Sequence, residues 1–278
     1  MKNILKIMLM MITIFTIAGS AVYAAEIPVS DQDQLITSND WTEISNLQDE
    51  MKKEEPDATI DYDKALKVYV DCNLIKLQTA DTKKLTSALE SANYVWVIPF
   101  KMEKTYGMFT VAKGLPLSEE AKSVLTKAEQ EEVKNHAGKW MITEIAEHTV
   151  EPYYDILLEK REALSDCTRV VLVGSQPGMR QPVALGMDDE TARIWISLGY
   201  QYPVMEKIPE TQNVESGVYS FDSVAEISDT YIEDSEVSTG AGVQSRSSMK
   251  YVAGIGIIVI GSILILSVLK KKKLEDYE

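Results

Sequence analysis

Apolar and polar residues alternate in several short stretches, which is the pattern of half-buried strands. The clearest stretch begins at Leu66 and ends at Cys72, with Lys67, Tyr69 and Asp71 on the opposite face. Other runs rich in β-branched and aromatic residues predict further strands at residues 94–100, 108–114, 139–146, 169–175, 182–187 and 192–200. We expect the strands near 94–100 and 108–114 to form a hairpin with Gly107 at its bend.

Apolar residues that recur every three to four positions predict helices between these strands. They occur within residues 40–55, 81–93, 116–138, 152–166 and 219–229. Asp40 followed by Glu43 has the form of a capping box, and Ser118 is suited to cap the helix after it. The sequence leaves open whether the first helix packs on the domain.

The order of elements predicts an α+β domain with a mainly antiparallel mixed sheet, plus one C-terminal transmembrane helix. Residues 25–57 form an N-terminal leader with a short helix, and residues 58–228 form the extracellular domain. Residues 58–138 and 139–228 have a similar rhythm of elements, so two similar lobes are an alternative to one domain.

Both ends of the chain predict a protein held at a membrane. Residues 1–24 have the basic start, apolar middle and small-residue cleavage site of a secretory signal peptide. Residues 251–269 carry no charge, are long enough to span a bilayer, and precede a basic tail at 270–278. Residues 229–250 are rich in Ser, Gly and Thr and predict a flexible stalk.

This layout resembles that of many surface proteins of Gram-positive bacteria, and the resemblance covers the ends of the chain only. It implies a single-pass protein of the cell membrane, with the domain outside and the short tail in the cytoplasm. The sequence before the span, "EVSTGAGVQSRSSMK", lacks the Leu-Pro of a wall-sorting signal. A retained helix is therefore favoured over wall attachment.

The chain is strongly acidic, with 28 basic and 43 acidic residues and a net charge of −15. Such a domain repels polyanions, which argues against nucleic acid as a partner. A basic partner, cations or simple solubility are compatible with this charge.

Few residues are available for catalysis or metal binding. The chain has two histidines, His136 and His148, without metal-ligand spacing, so we expect no metal and no cofactor. Cys72 and Cys167 are the only cysteines. They form either one disulfide, worth about 4 kcal/mol in the chain-entropy model, or two separate thiols.

The stretch "RVVLVGSQPGMRQPVALG" has a glycine-rich centre but matches neither a phosphate-binding loop nor a nucleophile elbow. Its Pro-Gly pair instead predicts a turn between two strands. We therefore expect Gln176, Met179 and Arg180 to form an exposed contact loop.

Several aromatic residues lie on predicted strand faces that look polar, among them Tyr69, Trp96 and Trp195. Exposed aromatics favour contact with a protein or a glycan. The alternative is a second buried face of the sheet that a helix covers.

These features favour a non-enzymatic, membrane-anchored extracellular module that binds a protein or another component of a bacterial envelope. Two alternatives remain. One is an envelope hydrolase whose active site assembles only in space, and the other is an accessory subunit of a membrane transporter or sensor.

Overall fold

The computed structural model describes residues 27–103, 105–148, 151–174, 176, 179, 181–200, 202–210 and 213–228. The side chains of Glu120, Glu147 and His148 are outside this description. The predicted signal peptide, stalk, membrane helix and cytoplasmic tail lie outside the described residues. Within the described part, no helix is long and apolar enough to cross a bilayer.

The domain is an α+β fold built on one mixed sheet of ten strands. The strands are β1 (Thr59–Ile60), β2 (Leu66–Tyr69), β3 (Tyr94–Lys101), β4 (Tyr106–Lys113), β5 (Trp140–His148), β6 (Arg169–Val173), β7 (Val183–Met187), β8 (Ala192–Ser197), β9 (Asn213–Glu215) and β10 (Val218–Ser220). The helices are α1 (Trp41–Ile44), α2 (Gln48–Glu54), α3 (Thr82–Glu90), α4 (Glu119–Val124), α5 (Lys127–His136), α6 (Tyr153–Glu159) and α7 (221–228).

The strand order is β5-β4-β3-β2-β6-β7-β8-β10-β9, and β1 pairs with β3 beyond the start of β2. Neighbouring strands are antiparallel except β2 and β6, which are parallel. Strand β5 comes from residues 139–228 but pairs with β4 from residues 58–138. The boundary at residue 138 therefore does not divide the sheet.

Both faces of the sheet are covered. The front face carries Trp96 and Trp195, and the back face carries Leu172 and Ile196. Three parts of the chain cover the front face: the N-terminal segment (residues 27–58), α3 and α7. They do so through Leu35, Ile44, Met51, Leu85, Leu89, Phe221 and Val224. Helix α6 and its neighbours cover the back face through Ile27, Tyr153, Leu157, Leu164 and Leu198.

Three local expectations change in the structure. Gly107 is not at a bend but within β4, directly opposite Phe100. Asp40 makes no side-chain cap on α1, because its carboxylate accepts hydrogen bonds from two aromatic side chains of β3 instead. The single helix expected over 116–138 is two helices, and the second is capped by Thr126 in a capping box with Glu129.

Candidate partner-binding surface

The three aromatic residues predicted as exposed contacts are buried, so the expectation of an open aromatic face is wrong. Trp96 and Trp195 are fully buried and Tyr69 is 7% exposed. Trp195 stacks on Phe221 of α7, with ring centroids 5.7 Å apart. The alternative of a second covered face therefore describes this sheet, and these residues do not form a contact surface.

The N-terminal segment covers the other two aromatics, and two of its carboxylates accept hydrogen bonds from them. Tyr69 Oη donates to Asp33 Oδ1 at 2.8 Å. Trp96 Nε1 and Tyr94 Oη donate to Asp40 Oδ2 at 3.0 and 2.8 Å. Both carboxylates lie in residues that the sequence predicted as a leader and a helix cap, so local patterns did not reveal their partners.

Asp33 is also the centre of a buried charge network. It is 2% exposed, and its Oδ2 accepts a hydrogen bond from Arg169 at 3.0 Å. Lys67 Nζ lies 3.7 Å from Asp33 Oδ1 and 4.5 Å from the centre of the Tyr94 ring. Burial lowers the pKa of Lys67, and the carboxylates of Asp33 and Asp40 oppose this change. The network fixes the N-terminal segment to β2, β3 and β6.

The predicted contact loop is a turn, but two of its residues are buried. The amide N–H of Met179 donates to the carbonyl of Gln176 at 2.8 Å, and β6 and β7 form the expected antiparallel hairpin. Gln176 Nε2 donates to the carbonyl of Cys72 at 2.7 Å, and Gln176 Oε1 accepts from the amide of Leu74 at 3.0 Å.

The side chains of Gln176 and Met179 therefore hold the turn against the chain after β2 and are not free for contact. The expectation of an exposed loop is wrong for these two residues, because their side chains meet polar and apolar partners inside the fold. Arg180 lies outside the described residues.

The two cysteines are free thiols on opposite sides of the sheet. Cys72 packs among apolar residues of the front face, whereas Cys167 is buried among those of the back face. Burial raises the pKa of Cys72 to about 12 and that of Cys167 to about 11. Both groups are therefore protonated near neutral pH and weak as nucleophiles.

One small cleft lies at the end of β3. Its volume is about 130 Å³, and its lining includes Lys64, Lys101, Tyr106 and Asp155. Lys64 Nζ pairs with Asp155 at 2.8 Å, and that hydrogen bond raises the pKa of Lys64. The cleft is small beside the roughly 300–1,000 Å³ of typical ligand pockets. No group of three or more His, Cys, Asp or Glu that could hold a metal occurs among the described residues.

The most distinctive surface feature is the segment between β4 and β5, which we call the helical arm (residues 114–139). It contains α4 and α5. None of its described side chains is buried, and Val124 is 78% exposed. The arm is nevertheless ordered by its own contacts, because Ser118 caps α4 and Gln130 Nε2 donates to the carbonyls of Lys122 and Leu125.

A narrow neck joins the helical arm to the sheet. The Gly114 amide donates to the carbonyl of Lys139 at 2.9 Å, and the Gly138 amide donates to the carbonyl of Gly114 at 2.7 Å. Gly138 has φ of 76°, a left-handed conformation that glycine adopts without strain. Lys113 and Trp140 are directly paired at the base. The arm therefore projects from a closed hairpin, and none of its described side chains joins the core.

The base of the helical arm borders the edge strand β5. Glu144 is exposed on β5, and its Oε2 accepts a hydrogen bond from Thr110 of β4 at 3.4 Å. Trp140 and Ile142 of β5 belong to the core, whereas the helical arm has no buried side chain among its described residues. The sequence holds a signal for the break between α4 and α5 that apolar periodicity alone missed, since Thr126 and Glu129 have the spacing of a capping box within the expected single helix.

Comparison of the chain with protein-family models, with curated proteins and with solved structures found no match.

Proposed function

We propose that this protein is an extracellular binding module, anchored in the cell membrane by one helix, and that the helical arm is its contact surface for another protein. The observation that supports this role most directly is a pair of capped helices in which no described side chain is buried. The membrane placement is supported by the sequence patterns of residues 1–24 and 251–269.

The length of the helical arm favours a role in binding over a role in folding. The paired residues Lys113 and Trp140 are close enough for a two-residue hairpin loop. The chain instead inserts α4 and α5 between them. Long ordered insertions in compact domains are usually functional.

The chemistry of the helical arm suits a protein partner. Its surface mixes the exposed apolar side chain of Val124 with charges of both signs, among them the ion pair of Lys134 with Glu131 at 2.6 Å. Val124 supplies apolar area that a partner would remove from water. Surface ion pairs contribute little to stability, so their side chains are free to rearrange at an interface.

The test is capture of partners by the full-length protein in its native membrane after chemical cross-linking. In one variant, Asn-Gly replaces residues 114–139, and in another Val124 is changed to Asp. We expect wild type to capture a specific protein and both variants to lose most of it. The matched control is Val214→Asp, which changes a 57% exposed valine on β9 at the other end of the sheet.

Both variants should keep the thermal stability of wild type, since the fold does not bury these side chains. Equal capture by wild type and by the variant without the arm would contradict the proposed contact surface.

A further inference from the structure

The sheet has one long open edge. Strand β5 has nine residues and ends the strand order, and no described strand pairs with its outer side. At the opposite end, β9 has only three residues. Short edge strands limit unwanted pairing, whereas a long edge offers unpaired N–H and C=O groups to another strand.

A bulge makes the side-chain pattern of β5 symmetric about its middle. The pairing with β4 shifts so that Thr110 lies opposite Glu144 and Val111 opposite Ile142, which leaves Thr143 as the extra residue. Ile142 and Ile145 consequently both pack on the front face, in the apolar cluster that contains Trp96. The register places Met141 and Ala146 on the back face, opposite Ala112 and Met108.

We infer that β5 pairs antiparallel with β5 of a second copy of this chain. The proposed two-fold axis passes between Thr143 and Glu144. It places Ile142 opposite Ile145 of the second copy and Met141 opposite Ala146. Each pair joins apolar residues on the same face, which is the requirement for cross-strand contacts.

Local charge also complements a second copy. Lys113 Nζ lies 5.6 Å from the centre of the Trp140 ring at the start of β5. Among the described residues, no carboxylate lies within 4 Å of Lys113. The antiparallel register places position 147 of the second copy, a glutamate in the sequence, opposite Trp140, and it does so twice in the dimer.

The net charge of −15 opposes self-association only at a distance. At an ionic strength of 0.15 M the screening length is about 8 Å, so contacts at the shared edge outweigh repulsion between more distant acids. A strongly basic peptide is a poorer occupant of this edge, because Lys113 and Lys139 lie at its start. The pairing is independent of the partner of the helical arm, and it would present two arms in one assembly.

A cysteine pair tests the register directly in the full-length protein in membranes. The variant Met141→Cys/Ala146→Cys should give a covalent dimer under mild oxidation on a non-reducing gel, because opposite residues of antiparallel strands are close enough for a disulfide. Within one chain the two positions are about 17 Å apart along the strand and cannot bridge. The wild type shows how much covalent dimer the native thiols of Cys72 and Cys167 form without the introduced pair.

The matched control is Met141→Cys alone, because in this register the two copies of position 141 lie about 17 Å apart along the strands. The inference predicts at least fivefold less covalent dimer from this control. Absence of a dimer with the cysteine pair, equal yields from the pair and from the single-cysteine control, or cross-linking to a different protein would overturn the inference.

Exchanging the charges at positions 113 and 147 gives an independent test. The measured quantity is the yield of covalent dimer from the Met141→Cys/Ala146→Cys variant. Lys113→Glu alone should lower the cross-linking yield about three- to tenfold, since two pairs per dimer become repulsive. Adding Glu147→Lys should restore the yield. A double swap that stays as low as the single variant would contradict the proposed contact.

Discussion

Asp33 links the start of the described chain to the middle of the sheet. It accepts hydrogen bonds from Ser30, Tyr69 and Arg169 and lies beside Lys67. The carboxylate is almost closed to water, and the side chains of Lys67 and Arg169 are 11% and 23% exposed, so the two cations compensate the buried negative charge of Asp33. Removal of the carboxylate leaves both cations without their buried partner.

Asp33→Ala should lower the free energy of unfolding by about 3–5 kcal/mol, because an unpaired buried charge is costly. Denaturant unfolding of the full-length protein in detergent, followed by tryptophan fluorescence, measures this effect. The matched control Asp31→Ala removes an exposed carboxylate two residues away and should change stability by less than about 0.5 kcal/mol. A loss below 1 kcal/mol for Asp33→Ala would show that the network does not hold the segment.

Strands β3 and β4 illustrate how a single small residue fits an element into the core. Phe100 is fully buried and packs on Phe109, with ring centroids 4.6 Å apart. Gly107 lies directly opposite Phe100 on β4. A Cβ atom at residue 107 would lie 2.0 Å from Phe100 Cζ, well inside van der Waals contact. The ring therefore occupies the space that any other residue at 107 would need.

Gly107→Ala should destabilise the domain by about 3 kcal/mol, at the upper end of typical overpacking costs. Gly138→Ala is the matched control. It has no atom within 4 Å of the added Cβ, and its left-handed φ should cost only about 1 kcal/mol. Denaturant midpoints of the two variants decide the comparison, and equal losses would indicate that Phe100 moves aside at little cost.

Local patterns predicted most individual strands, because hairpin partners are close in sequence and each strand carries its own periodicity. The β6–β7 hairpin and its turn at Gln176 are confirmed in this way. The parallel pairing of β2 with β6 was beyond such patterns, since it joins residues about 100 apart. Burial of Trp96 was also missed, because its partner Asp40 satisfies a local capping pattern equally well.

Local sequence patterns were also insufficient to predict the helical arm as the candidate site. The apolar spacing of residues 116–138 correctly predicted helical structure, although the structure has two helices in place of one. Apolar spacing alone does not show whether other parts of the protein cover the apolar face of a helix. In the structure Val124 is exposed and Val133 is only half-buried. Exposure of this element depends on the sheet edge where β4 and β5 place it, which requires the assembled fold.

The described domain is one sheet between two layers, and its buried and half-buried tyrosines give it a characteristic response to alkaline pH. Burial raises the pKa of Tyr69, Tyr94, Tyr153 and Tyr202 above the ordinary value of 10.0. Burial also raises the pKa of both thiols above 9.0. The folded protein therefore retains protons that the unfolded chain loses above about pH 9–10.

Stability should be fully present below pH 9 and should fall as the pH rises from 9 to 11, by up to about 1.4 kcal/mol per pH unit for each fully titrating group. Lys67 acts in the opposite direction, because its lowered pKa adds stability as the pH approaches 10.5. Six groups outweigh this single lysine. Denaturant midpoints at pH 8, 9, 10 and 11 measure the balance, and a midpoint that stays constant or rises would contradict it.

At the scale of the whole molecule, the proposed role depends on the helical arm meeting another protein outside the membrane. The most direct measurement places a photo-activated cross-linking residue at position 124 of the full-length protein in intact cells, with position 214 as the matched exposed site on β9. If the helical arm is the contact surface, position 124 should give a discrete cross-linked partner and position 214 should give none of it. The same products from both positions, or no cross-linked protein from position 124, would contradict a contact at the arm.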